Sequence, residues 1–139
     1  MRDFLGFLLI LAIVFFAVGE TRGWYLGVPS QTPILLYKKD HVAETTRRTL
    51  MRDDMPVRFR GEVRRGSVAV EVWHQRTSSF QTNQPAGADT RLFEQTYRQG
   101  DVIAIDRLFE AGGGVYRIVM RYTDATGLFR LEVPGGQDL

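Results

Sequence analysis

The chain has 139 residues, of which 24% are charged, with 18 Lys and Arg against 16 Asp and Glu. Once an apolar N-terminal segment is set aside, this length allows a single domain. The net charge of +2 is too small to predict a nucleic-acid-binding protein, which usually carries a concentrated basic face. There is no cysteine, so disulfides, thiolate metal sites, Fe–S clusters and a cysteine nucleophile are excluded.

The segment Phe4–Gly19 contains no charged residue. A bilayer core of roughly 30 Å needs about 20 helical residues, so this run is about one turn short. Arg2, the apolar run and the small residues Ala17 and Gly19 are typical of a signal peptide that is cleaved after Gly19. Alternatively the segment stays in the membrane as an anchor, with Arg2 at one interface and Trp24–Tyr25 at the other.

We expect the segment to be retained as an anchor helix over residues 1–22. A helix from residue 1 to residue 25 would cover about 36 Å, at about 1.5 Å per residue. No ionisable side chain interrupts the run, so it is predicted to hold position and to carry no chemistry of its own. The side chains expected to anchor it are Phe4, Phe7, Leu8, Leu11, Phe15 and Phe16.

The charges beside the segment do not fix its orientation, since Arg2 lies on one side and Arg22, Lys38 and Lys39 lie on the other. A tail of three residues before a signal-like segment usually stays in the cytoplasm, and large domains cross the membrane largely regardless of charge. We therefore expect a single-pass protein of a bacterial inner membrane. Its N-terminus would be cytoplasmic and its C-terminal domain periplasmic.

Residues 23–33 contain two glycines and two prolines, which predicts an extended linker between the helix and the domain. Ile34–Tyr37 is predicted either to begin a strand or to clamp onto the domain. Residues 41–52 fit two structures, because their charged residues could decorate a helix whereas their three threonines favour a strand.

Beyond residue 55 apolar and polar side chains alternate, as they do in a half-buried strand. Val57, Phe59 and Val63 occupy odd positions with charged residues between them, and Val68–Val72 repeats the pattern. Arg64–Ser67 separates the two runs and contains a glycine, so it is predicted to be a hairpin turn.

Residues 75–90 are polar and are predicted to form a long loop. Four further strands are predicted at residues 91–98, 102–109, 115–123 and 128–133. The segments between them, at residues 99–101, 110–114 and 124–127, each contain glycine and are predicted to be turns. Short strands with closely spaced turns indicate a mainly β fold, namely an antiparallel, jelly-roll-like sandwich over residues 34–134 followed by a tail at residues 135–139.

Residues 91–133 combine a strand, Gly-Asp, a strand, Gly-Gly, and then Val-Tyr-Arg-Ile-Val-Met-Arg-Tyr, Asp-Ala-Thr-Gly and Leu-Phe-Arg-Leu-Glu-Val. This pattern resembles the last half of small extracytoplasmic jelly-roll or GOLD-like β-sandwich domains. The resemblance covers about a third of the chain. It implies an extracytoplasmic sandwich and no particular activity, because many sandwiches share such turns and strands.

A catalytic or metal-binding constellation is missing from the sequence. His41 and His74 lie far apart in the chain, without the paired spacing of a metal site. Gly112–Gly114 is not followed by the Lys-Ser/Thr of a phosphate-binding loop and is predicted to be a hairpin turn. We therefore expect a protein that is not an enzyme and that has no metal, no cofactor and no small-molecule substrate.

Seven arginines lie between residues 47 and 65 against three acidic residues. This segment could face lipid phosphates or an acidic partner subunit, or it could simply be the solvated face of an amphipathic strand. Aromatic residues in linkers and loops are further candidates for contact, because such residues concentrate binding energy at interfaces. The candidate interface residues are Trp24, Tyr25, Arg47, Arg48, Arg52 and Phe80.

These features predict a non-catalytic accessory or scaffold subunit that stabilises a larger bacterial membrane complex. By analogy, photosynthetic reaction-centre, light-harvesting and respiratory complexes recruit single-span subunits of this kind. The expected partners are other integral membrane subunits and the lipid bilayer, with no nucleic acid. The alternative is a membrane-anchored module that binds glycans or peptidoglycan, since Trp and Tyr side chains can stack on sugars.

Overall fold

The computed structural model describes residues 2–27, 34–49, 54–76, 87–134 and 137–138. Within these residues one helix precedes seven β-strands, which confirms the predicted mainly β chain with an N-terminal apolar helix. The elements are α1 (Arg2–Arg22), β1 (Trp24–Leu26), β2 (Ile34–Thr49), β3 (Met55–Arg76), β4 (Thr90–Arg98), β5 (Val102–Phe109), β6 (Gly114–Glu132) and β7 (Gln137–Asp138).

Helix α1 has 21 residues and is about 32 Å long at about 1.5 Å per residue. It ends at Gly23, whose φ of 67° is left-handed and whose N–H donates to the Gly19 carbonyl at 3.0 Å. Within the described residues one helix segment, Phe4–Arg22, is long and apolar enough to cross a membrane, and almost none of it is buried by the rest of the chain. This single candidate span near the N-terminus is consistent with a single-pass membrane protein.

The strands form one antiparallel sheet in the order β1–β2–β6–β3–β4, with β5 paired to β3 and β7 paired to β2. Strands β4 and β5 occupy consecutive stretches of one edge of β3, opposite Ser67–His74 and Met55–Glu62 respectively. The predicted turn at residues 99–101 therefore does not form a hairpin. The chain continues along β3 there, and Gly100 N–H donates to the Val63 carbonyl at 2.8 Å. The turn at residues 99–101 is nevertheless present, since the Asp101 N–H donates to the Arg98 carbonyl at 2.9 Å.

Two other predicted turns are wrong, because β3 runs through Arg64–Ser67 and β6 runs through Asp124–Gly127. In β3 the pairing with β6 shifts register between Val63 and Ser67, as at a β-bulge. Gly66 and Asp124, which lie in this irregular part of the pairing, have positive φ values of 75° and 46°. A bulge bends its strand, so glycine and aspartate mark a bend inside long strands here.

The sheet folds back on itself at this bend. Strand β3 has 22 residues and would span about 70 Å if it were straight, at about 3.3 Å per residue. Phe109 pairs with Met55 at one end of β3, yet Gly114, five residues later, pairs with Arg76 at the other end. Five extended residues reach at most about 18 Å, so the two ends of β3 must lie close together. The predicted hairpin at Gly112–Gly114 is therefore a crossing between two halves of the sheet.

The two halves are the layers of a sandwich. Layer 1 contains β1, β5 and residues 34–37, 55–63 and 127–132; layer 2 contains β4, β7 and residues 41–49, 67–76 and 114–123. Alternate side chains of each long strand are buried between the layers. Phe129 of layer 1 lies 5.1 Å from Tyr122 of layer 2 between ring centroids, and Phe93 lies 6.1 Å from Phe109.

Residues 41–49, for which the sequence fitted either a helix or a strand, belong to β2, and residues 50–52 lie outside the described residues. Ala43 and Thr45 are buried while Val42 and Glu44 are exposed, which is the alternation of a strand with one face in the core. Three threonines in this segment stabilise the strand because β-branched side chains pack well on a pleated surface.

Alanine substitution at Gly66 is expected to destabilise the sandwich more than the same substitution at Gly100. Both glycines have positive φ, 75° and 92°, so both variants incur a backbone strain of about 1–2 kcal/mol. A Cβ at residue 66 would also overlap the carbonyl oxygens of Thr123 and Asp124, whereas a Cβ at residue 100 meets no atom within 4 Å.

We expect Gly66→Ala to lose about 1–3 kcal/mol more than Gly100→Ala. Chemical unfolding of the full chain in detergent, followed by circular dichroism, measures the difference. Equal losses would show that the bend is not closely packed.

Candidate functional site

The joint between α1 and layer 1 is built around Trp24. Its indole stacks on Phe15, with ring centroids 4.1 Å apart and an interplanar angle of 22°. Gly19 makes room for this contact, since a Cβ there would overlap the indole nitrogen of Trp24. The first residue of β1 is thereby packed against the last two turns of the helix.

Polar contacts complete the joint on β2. The Glu20 carboxylate accepts a hydrogen bond from the Tyr37 hydroxyl at 2.7 Å and forms an ion pair with Lys38. The hydrogen bond to Glu20 raises the pKa of Lys38 above its usual value. Lys39 Nζ donates to the Arg22 carbonyl at 3.1 Å, which satisfies one of the acceptors left open at the end of a helix.

A single residue, Gly23, connects α1 to the first strand of the sheet. Gly23 has a left-handed φ of 67°, and a Cβ there would overlap the carbonyl oxygens of Tyr37 and Lys38. Strand β1 follows at once and pairs with β2, Trp24 opposite Tyr37 and Leu26 opposite Leu35. Part of the predicted linker is thus a strand of the sheet, and residues 28–33 lie outside the described residues.

Tyr25 lies on the other side of β1, facing the core. Its ring is 4.5 Å from the ring of His41, which in turn is 6.2 Å from Tyr122. Burial raises the pKa values of Tyr25 and Tyr122. Burial, followed by the positive charge of Lys39, lowers the pKa of His41. Strand β1 therefore contacts the core through Tyr25 and the helix through Trp24.

The remaining candidate residues are dispersed. Arg47 is buried on the inner face of β2, whereas its neighbour Arg48 is exposed. Arg52 and Phe80 lie outside the described residues. Of the candidate set, the structure brings Trp24 and Phe15 together. The predicted anchor residues are all exposed on α1, namely Phe4, Phe7, Leu8, Leu11, Phe15 and Phe16.

A charged cluster on the outer face of layer 2 was not singled out from the sequence. The guanidinium groups of Arg91 and Arg117 lie 5.6 and 5.7 Å from the ring centre of Trp73. The Trp73 indole N–H donates to Glu71 at 2.9 Å, and Arg121 donates to the same carboxylate at 3.3 Å. Both hydrogen bonds lower the pKa of Glu71, and the one from Trp73 has the larger effect. Cation–π contacts of this kind stabilise the face and accompany aromatic recognition sites.

The end of the sandwich opposite the bend has a polar interior. Tyr116 accepts a hydrogen bond from the Ala111 N–H at 3.1 Å, and its hydroxyl lies 3.1 Å from the Gly112 carbonyl. His74 is buried 4.6 Å from the Tyr116 ring, with its Nε2 facing Gly114. A cavity of about 360 Å³ adjoins this cluster, lined by His74, Arg76, Gly87, Ala88, Thr90, Leu92 and Ala111.

Among the described residues, no group of three or more His, Asp or Glu side chains is placed to hold a metal ion. Comparison of the chain with protein-family models, curated proteins and solved structures finds no match. Functional conclusions for this protein therefore depend on its own residues, among which the joint is the most completely built site.

Substituting Gly19 by alanine is expected to displace the Trp24 indole from α1, because the new methyl group would overlap it. Gly6→Ala is the matched control, since a Cβ at residue 6 meets no atom within 4 Å. Both are introduced into a Trp73→Phe background so that Trp24 is the single tryptophan. Fluorescence should shift to longer wavelength, with stronger acrylamide quenching, in Gly19→Ala alone. Unchanged spectra would contradict the joint.

Acidification should destabilise the sandwich through His41. The pKa of His41 in the folded chain is lower than the ordinary value of 6.5, which applies to the unfolded chain. At a pH between the folded and the unfolded pKa, the unfolded chain therefore binds a proton that the folded chain does not. Stability is therefore lost as the pH falls through 6.5 toward the folded pKa.

The difference in melting temperature between the native chain and His41→Gln should accordingly change between pH 8 and pH 5, a range chosen to span about 6.5. A constant difference over that range would refute the role of His41.

Proposed function

We propose that this protein is a non-catalytic accessory subunit of a larger bacterial membrane complex. In this proposal α1 crosses the inner membrane, and the sandwich binds partner subunits on the periplasmic side. The observation that supports it is the joint. Trp24, packed on Phe15 and Gly19, and Glu20, bonded to Tyr37 and Lys38, set the position of the sandwich relative to the helix.

A fixed joint suits a subunit that stabilises an assembly. Linking a membrane segment to a domain by a flexible chain lowers the effective concentration of one binding surface relative to the other. A rigid connection avoids this loss, because both surfaces meet their partners in one orientation. A chain whose only role was to tether a mobile domain would not need the apolar and polar contacts found here.

The periplasmic location is supported by one observation. The strand and turn pattern of residues 91–133 resembles extracytoplasmic sandwiches of the jelly-roll or GOLD-like kind. Photosynthetic and respiratory complexes are the proposed hosts by analogy, since both recruit single-span subunits. With no ionisable side chain in Phe4–Gly19, α1 would contact partner helices by packing alone.

A membrane-anchored module that binds glycans or peptidoglycan is the second candidate. Trp73 on the outer face of layer 2 favours it, because an indole is a suitable surface for a sugar ring. Arg91 and Arg117 already lie against that indole, so sugar binding would have to share or displace these contacts.

Purification of the full-length chain from its native membranes in mild detergent tests the first proposal. We expect a reproducible set of integral membrane proteins to co-purify, and recovery of that set to fall several-fold for Gly19→Ala but not for Gly6→Ala. A chain that runs alone as a monomer would rule out the accessory role. Tight retention on peptidoglycan that is lost in Trp73→Ala would instead support the second candidate.

A further inference from the structure

The exposed apolar side chains of the sandwich are concentrated on one face. In the described residues beyond α1, seven large apolar side chains are exposed. All but Val42 lie on the outer face of layer 1, as the register of the strands shows. The six on this face are Leu26, Leu35, Tyr37, Val102, Leu108 and Leu128.

Three of them form a continuous strip beside the joint. Leu26 is directly opposite Leu35 in the sheet, and Leu35 is directly opposite Leu128. Their exposed fractions are 59%, 45% and 53%. Neighbouring strands lie about 4.8 Å apart, so the three side chains are in lateral contact distance of one another. A row of exposed leucines on one face is typical of a surface that is covered in the working protein.

The direction of this face follows from the joint. Trp24 and Tyr37 project from the same face as the leucine strip, and they reach Phe15 and Glu20 of the helix. Phe15 lies seven residues before the end of α1, about 10 Å back along its axis. Side chains on one face of a sheet point the same way. The strip therefore points back along α1, toward the part of the helix that would lie in a bilayer.

Arginines lie one row beyond the strip. Arg130 and Arg60 are directly opposite each other, and Arg130 is two residues from Leu128, about 7 Å along the strand. Arg130 pairs with Glu132 at 2.7 Å, while Arg60 has no acidic partner among the described residues. Like charges placed directly opposite each other destabilise a sheet, and an anion bound between them would offset their repulsion. A depression of about 180 Å³ is lined there by Arg58, Arg60, Arg130 and Glu132.

We propose that the outer face of layer 1 lies on the phospholipid headgroups of the membrane that α1 crosses. The leucine strip enters the interfacial region, and Arg60 and Arg130 bind the phosphate of a lipid. A guanidinium matches a phosphate in both charge and hydrogen-bond geometry. The face is continuous with the joint and directed along the helix, so a folded partner would not fit between it and the bilayer. This inference rests on α1 as a membrane anchor and not on the identity of any host complex.

Spin labels on single cysteines test the inference, because the chain has no native cysteine. One label is attached to the variant Leu128→Cys and the control label to Val42→Cys. The two native side chains have similar exposed fractions, 53% for Leu128 and 55% for Val42. The full chain is studied in phospholipid nanodiscs, with collision rates measured for oxygen and for a water-soluble nickel chelate. We expect the nickel collision rate to be several-fold lower at residue 128 than at residue 42, with oxygen collisions retained.

A third label, at Leu11, separates the possible failures. A label at residue 11 that is open to nickel would overturn the anchor, and with it the proposed function. If residue 11 is shielded but residue 128 is as open as residue 42, the anchor stands and the lipid face is refuted. Shielding of residue 128 from both reagents would mean that protein covers the face, which also refutes it.

The arginines are tested in the Leu128-labelled chain. The double variant Arg60→Gln, Arg130→Gln should raise the nickel collision rate at residue 128 toward the value at residue 42, because the phosphate contacts are lost. Arg48→Gln, an exposed arginine of layer 2, is the matched control and should have no effect. An unchanged rate in the double variant would show that the arginines do not bind lipid.

Discussion

The sandwich depends on the short crossings at the end of the sheet opposite the bend. Thr49 and Met55 are six residues apart, and Phe109 and Gly114 are five residues apart. In each pair one residue belongs to layer 2 and the other to layer 1. Strands as long as β3 and β6 cannot meet this constraint while straight. They bend at the same level as β2, where the pairing is also irregular. Bulges in neighbouring strands thus turn one sheet into two packed layers.

The bend also determines what each end of the domain does. Because β1, Tyr37 and Lys38 lie at the bend, the helix is attached there and the crossings point away from it. The opposite end is closed by Tyr116, which binds the crossing segment through its hydroxyl. The contacts with the helix and the contacts that close the sandwich therefore lie at opposite ends of one small domain.

Much of the fold was accessible from the sequence, since period-two alternation marks the strands and an uninterrupted apolar run marks the helix. The bends were not, because Gly66 and Asp124 have the positive φ that both a hairpin turn and a bulge require. Pairing with a strand distant in sequence decides between the two. Trp24 was recognised as an interface residue, but Gly19 was interpreted as part of a cleavage site, since its role depends on where Trp24 packs. Trp73 was not singled out, because it directly follows the alternating run Val68–Val72 in the sequence.

The position of β6 has a consequence for biogenesis. This strand is the last long one in the chain, yet it lies in the middle of the sheet and supplies hydrogen bonds to both β2 and β3. Until residues 114–132 have emerged, β2 lacks its main partner and β3 has only its β4–β5 edge. Such long-range pairing is slow to form. The order of synthesis therefore delays folding of the sandwich until residues 114–132 are available to pair with β2 and β3.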